Sequence, residues 1–231
     1  MSAITTIPAQ PRGDRRQVFR VGWDVYKAMC EGREERSQVR LAYDGKDLEI
    51  MTIGYVHEHL RELLIHIITA VASWSGIRHM PCGQATWQSE EAERGLEADL
   101  SYYFDPEKVR VATEALARES KDPADYPWPD LAVEIDISYP VADRGSIYSA
   151  LCVAEVWRLV KGKTLVIDQL QPDGSYAPAE ASRFLPIRPD EVIGWLSAED
   201  VGQHDAWYRR LNQWAMGLGR RAAPAAEGNG A

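Results

Sequence analysis

Residues 131–137 constrain the fold more than any other stretch. Leu131, Val133, Ile135 and Ile137 alternate with Ala132, Glu134, Asp136 and Ser138. Successive side chains of a strand point to opposite faces, so the pattern predicts a strand with one apolar face and one face bearing two carboxylates. At a rise of roughly 3.3 Å per residue, Glu134 and Asp136 stand about 7 Å apart along it. The apolar face needs a cover. The clearest helix, Val56 to Ser73, has a matching stripe: Leu60, Leu63, Leu64, Ile67, Ile68 and Val71 recur at three- and four-residue steps, and Gly76 follows its end.

The remaining pattern mixes neighbouring strands with isolated helices. Trp23–Cys30 has apolar residues at helical spacing. Gln38–Tyr43 and Leu48–Thr52 flank Asp44-Gly45-Lys46-Asp47, a hairpin signal. Strands are expected at Ile77–Met80, Gln84–Gln88, Ala98–Phe104, Ala154–Val160 and Thr164–Gln169, the last two around the turn Lys161-Gly162-Lys163. Asp173-Gly174 marks a further turn. Helices are expected at Glu107–Arg118, Arg144–Leu151, Glu191–Trp195 and Asp205–Trp214. This order suits an α/β fold with a mixed central sheet flanked by helices. Residues 1–17 read as a flexible arm, 18–216 as one domain, and the Ala/Gly/Pro-rich residues 217–231 as a disordered tail.

A length of 231 residues with 45% apolar residues suffices to bury a core without disulfides or structural metal. Cys30, Cys82 and Cys152, odd in number and lacking any CxxC, read as reduced core thiols of a cytoplasmic protein. The longest apolar stretch, Leu63–Trp74, is interrupted by His66 and too short to span a bilayer. A net charge of −9 excludes a generally basic surface that would hold nucleic acid by charge alone. GxGxxG, Walker, GxSxG and HExxH motifs are all missing, and His57 and His59, two apart on a helix, diverge.

Two carboxylates at i, i+2 on a strand repel unless something compensates them. The bland reading is a solvated polar face. The functional one is a hard cation such as Mg²⁺, which takes oxygen ligands. Asp99 opens the strand after Gly95-Leu96-Glu97-Ala98. If that strand lies beside 131–137, Asp99 and Glu134 converge on one ion; otherwise Asp99 ends a strand or caps a turn. Glu58, in the first turn of the long helix, is explained equally well by the helix dipole.

Several blocks occur together: Arg40-Leu41-Ala42-Tyr43-Asp44, Leu48-Glu49-Ile50-Met51-Thr52, His57-Glu58, Gly95-Leu96-Glu97-Ala98-Asp99 with Tyr102-Tyr103, Pro129 to Ser138, Asp143-Arg144, Ile147-Tyr148-Ser149-Ala150-Leu151 and Glu155-Val156-Trp157-Arg158. In this order and spacing, from about residue 38 to 196, the chain resembles the Uma2 family of restriction-endonuclease-like proteins. The resemblance implies a PD-(D/E)XK nuclease fold with Mg²⁺, or Mn²⁺ in its place, on the sheet face. By position, Asp99 and Glu134 match the acidic ligands, and Glu58 matches a supporting acid on the first core helix. Ala98 stands where the family commonly has proline. Asp136 stands where the superfamily wants lysine, and Arg144 stands where many members supply one later. Arginine binds phosphate but stays protonated, so it is a poor base. Lys161 and Lys163 are the other candidate replacements, although their place in a turn is the better explanation of them.

The resemblance leads to the expectation of a Mg²⁺-dependent endonuclease acting on DNA. Asp99, Glu134 and Asp136 would hold the ion, Glu58 would stand behind it, and Arg144 would bind a phosphate. The alternative is a catalytically impaired nuclease-fold protein that binds DNA or a protein partner, for which the eight tryptophans are a weak hint against their commoner use in cores. A homodimer is the default assembly for such folds.

Overall fold

The computed structural model describes residues 15–32 and 39–222. The chain begins with Arg15–Arg20 (β1), Trp23–Glu31 (α1) and the hairpin Val39–Tyr43 (β2) and Asp47–Thr52 (β3). The long helix is Tyr55–Trp74 (α2), followed by Met80–Pro81 (β4), Thr86–Ser89 (β5), Arg94–Glu97 (β6) and Leu100–Tyr103 (β7). Then come Pro106–Ala117 (α3), Leu131–Asp136 (β8), Arg144–Ala150 (α4), Glu155–Val160 (β9), Thr164–Leu170 (β10) and Tyr176–Ala179 (β11). Pro189–Leu196 (α5) and His204–Ala222 (α6) complete the described chain. The protein is mixed α/β, and among the described residues no helix is long and apolar enough to cross a membrane.

The strands divide between two sheets rather than forming one central sheet. The first, in the order β1-β3-β2-β6-β5, is antiparallel throughout. The second, β11-β10-β9-β8-β7-β4, has one parallel pair, β8 with β9. A parallel neighbour requires a crossover, and α4 lies in it. The strand expected over Ala98–Phe104 starts two residues later, as β7 at Leu100 in the second sheet, and β6, which ends at Glu97, belongs to the first. Ala98 and Asp99 are the link between sheets.

The second sheet is covered on both faces. Leu131, Val133 and Ile135 of β8 pack with Leu63, Leu64 and Ile67 of α2, Trp195 of α5 and Trp207 and Leu211 of α6. Complete burial of each aliphatic side chain is worth about 1.5–3 kcal/mol relative to exposure. On the opposite face Ala132 packs with Ile147 and Tyr148 of α4 and with Ala42 and Leu96 of the first sheet. The polar face of β8 is therefore an interior face. Trp23, Trp87, Trp157, Trp195 and Trp207 are buried, so most of the tryptophan content is core.

Three further sequence expectations need correction. Residues 15–17, read as arm, belong to β1, which pairs residue by residue with β3. Its sequence lacks apolar alternation because backbone pairing to a strand edge holds it in place; residues 1–14 lie outside the described residues. Residues 217–222, read as tail, continue α6. Gly219 lies where α6 passes the end of α2, and a Cβ there would stand 1.9 Å from the Trp74 carbonyl oxygen. The glycine that reads as a breaker is what permits the close approach; residues 223–231 lie outside the described residues. Finally, Cys152 is exposed rather than in the core, in a left-handed conformation with φ 49° just after α4, while Cys30 and Cys82 are half-buried.

Candidate metal centre

The register Leu100↔Val133 between β7 and β8, continued by one residue, brings Asp99 beside Glu134. The Ile135 amide donates to Asp99 Oδ2 over 2.8 Å, and His57 Nε2 lies 3.1 Å from the same oxygen. Asp99 is 1% exposed, and among the described residues its Oδ1 has no hydrogen-bond partner. That oxygen differs from those of two other buried acids. Asp130 accepts from the Phe104 and Asp105 amides and the Lys108 ammonium. Glu155 accepts from Trp157, Gln169, Ser182 and the Arg183 amide. Asp130 and Glu155 are tied off as structural anchors, whereas Asp99 keeps an acceptor in reserve. Leaving a buried acceptor unsatisfied typically costs about 1–3 kcal/mol, so it calls for an explanation.

Glu134 is also 1% exposed. Arg144 Nη1 pairs with its Oε2, and the Tyr148 hydroxyl donates to its Oε1. Both partners come from α4, whose start is fixed by Asp143, the side chain of which accepts from the Ser146 amide. Arg144 also reaches back to the first sheet: Nη2 lies 3.0 Å from Glu49 Oε1. Fully buried Glu49 accepts from the Val141 amide at 2.6 Å and pairs with Arg16 of β1. Arg16 Nη2 lies 3.0 Å from Asp136 Oδ1, and its Nε donates to Ser138 Oγ over 2.9 Å.

Asp99, Glu134 and Asp136 are thus brought into one buried cluster, with Arg144 beside them. Arg144 sits between two carboxylates. Glu58 stands at the periphery, more than a third exposed, paired with Arg61 at 3.1 Å and with Oε1 3.8 Å from His57 Nδ1. Lys161 and Lys163 are exposed on the β9–β10 turn and do not join the cluster; the Lys161 ammonium stands over the Tyr139 ring at 4.6 Å. Sequence reasoning missed Glu49, Arg16, Tyr148 and the contact of His57 with Asp99. Glu49 carried the one available signal, a lone acid inside the apolar strand Leu48–Met51.

The electrostatics follow from four carboxylates facing two guanidiniums. Burial acts to raise Glu49, but Arg144, the Val141 amide and Arg16 hold it below the usual carboxylate range. Burial acts likewise on Asp99, and its bonds to His57 and the Ile135 amide outweigh it, so Asp99 too is held low. Asp136 behaves oppositely: burial, with the charges of Asp99 and Glu49 overcoming Arg16, pushes it up to about 6. The donor set is oxygen-rich, which fits a hard divalent cation. Among the described residues, no three His, Cys, Asp or Glu side chains stand arranged to hold a metal ion in this conformation; the two arginines take up carboxylate oxygens that would serve.

Compared with known proteins, the chain matches no family model and no curated protein.

Proposed function

We propose that the chain is a Mg²⁺-dependent endonuclease of the PD-(D/E)XK type, hydrolysing DNA phosphodiester bonds at the junction of its two sheets. The observation that carries this reading is the convergence of Asp99, Glu134 and Asp136 in a buried cluster, with Asp99 Oδ1 left without a partner among the described residues where Asp130 and Glu155 are fully satisfied. The ordered blocks resembling the Uma2 family agree with it. Asp99, Glu134 and Asp136 would hold the ion, and Glu58 would support it from behind through His57. A bound divalent ion lowers the pKa of a coordinated water and offsets charge on the phosphate. His57 and the Ile135 amide orient Asp99, and Tyr148 orients Glu134. Arg144, on leaving one of its two carboxylates, could bind a phosphate oxygen.

Calorimetric titration of Mg²⁺ and Mn²⁺ into wild type and Glu134→Gln, with plasmid nicking on the same samples, tests this. Binding and nicking in wild type, both lost in the variant, are expected. A wild type that binds neither ion and leaves every DNA form intact would refute it.

One observation favours a second reading, a catalytically impaired protein that binds DNA or a protein partner. Both Glu134 oxygens are already held from within the protein, by Arg144 and Tyr148. In that case Asp99→Asn and Glu134→Gln would keep partner binding intact.

A further inference from the structure

We propose that β1 is a latch whose Arg16 competes with the divalent cation for the Asp136 carboxylate, so that cation binding and closure of β1 exclude each other. The inference rests on the metal-centre reading above and adds a control to it. Among the described residues β1 is an edge strand, paired only with β3. Five of its six residues are exposed, among them Val18 and Phe19, so it contributes little apolar burial. Arg16 is the exception, with a side chain 6% exposed. All three bonds of its guanidinium end at the cluster: on Glu49, on Asp136 and on Ser138. The strand is thus a ribbon pinned by one buried side chain, and the pin is driven into the acid cluster.

Two properties make this pin removable. First, Arg16 is a monovalent charge among Glu49, Asp99, Glu134 and Asp136, so a divalent ion there neutralises more of the cluster. Buried carboxylates tolerate the loss of one partner only if another replaces it, and the ion is that replacement. Second, what Arg16 leaves behind stays supported. Glu49 keeps Arg144 and the Val141 and Ala142 amides. Beyond β1 the chain is anchored independently: the Tyr43 hydroxyl donates to the Val21 carbonyl, and Trp23 and Tyr26 lie buried against Tyr43. An edge strand with few buried contacts opens at low cost.

The test measures Mn²⁺ affinity in wild type, Arg16→Ala and Arg20→Ala, together with amide hydrogen exchange of residues 15–20 in wild type with and without Mn²⁺. Arg20 is the control: it lies on the same strand, exposed, 3.5 Å from Asp47. Arg16→Ala is expected to bind Mn²⁺ about tenfold tighter or more than wild type, with Arg20→Ala unchanged. Mn²⁺ is expected to speed exchange in 15–20 of wild type, a readout that needs no variant to fold. Equal affinity in wild type and Arg16→Ala, or exchange in 15–20 unchanged by bound Mn²⁺, overturns the latch and leaves the metal centre standing. No Mn²⁺ binding to either wild type or Arg16→Ala overturns both.

Discussion

Asp136 is a carboxylate that the fold holds against its preference. Burial raises it to about 6, with Asp99 and Glu49 adding to the effect and Arg16 opposing it. Its folded value lies above the ordinary aspartate value of about 3.9, so it favours the folded state at low pH and loses that contribution as pH rises through the folded value. The loss should fall between about pH 4 and 6 and amount to about 3 kcal/mol. Glu49 and Asp99, held low, act in the opposite sense, stabilising above their unfolded values and failing only as pH falls further. Urea unfolding across pH 4.5–7 should therefore show stability falling in wild type and nearly level in Asp136→Asn. Identical slopes in the two proteins would dispose of the argument.

At the scale of elements, α6 makes the sharpest prediction. Gly219→Ala puts a methyl group against the Trp74 carbonyl, which is backbone and cannot swing aside. Forcing the two helices apart should cost about 1–3 kcal/mol, visible as a lower denaturant midpoint. Gly217→Ala, with nothing near its Cβ, should be neutral or slightly stabilising. The same helix shows where the sequence was legible. The stripes of α2 and β8 and the Asp44–Asp47 turn could be read because one local rule governed each. β1, β6 and β11 were missed, and the far end of α6 was misread, because pairing or packing with distant partners decides them. The cluster divides likewise. Glu134 and Asp136 lie on a strand of visible pattern and Asp99 directly precedes another, whereas Arg16 and Glu49 arrive from the other sheet, and no sequence spacing announces that meeting.

Over the whole molecule, the cluster is where charged groups of the two sheets meet, while Trp87 Nε1 and Ser101 Oγ join them elsewhere. Glu49 and Arg16 belong to one sheet, Glu134 and Asp136 to the other, and Asp99 to the link between them. An ion bound there would stabilise the folded protein as a unit. At a hundred times its dissociation constant, Mn²⁺ should add about 2.7 kcal/mol. For a chain of this size that corresponds to a rise in Tm of about 2–4 °C per kcal/mol. Scanning calorimetry should show the rise in wild type and not in Glu134→Gln; an equal rise in both would place the ion elsewhere.

The link Ala98-Asp99 also works as a ruler. It is two residues long, and side chains along β7 change faces at every step. Leu100 and Tyr102 face the helix-covered core, while Tyr103 packs on the other side with Ala98 and Trp87. One residue inserted after Asp99 would turn Leu100 and Tyr102 toward the wrong face and carry the carboxylate away from Glu134 in the same stroke. Length in this chain is accordingly negotiable at an exposed turn such as Asp173-Gly174, and fixed at the crossing from sheet to sheet, where a single count of residues sets both the packing of a strand and the address of an acid.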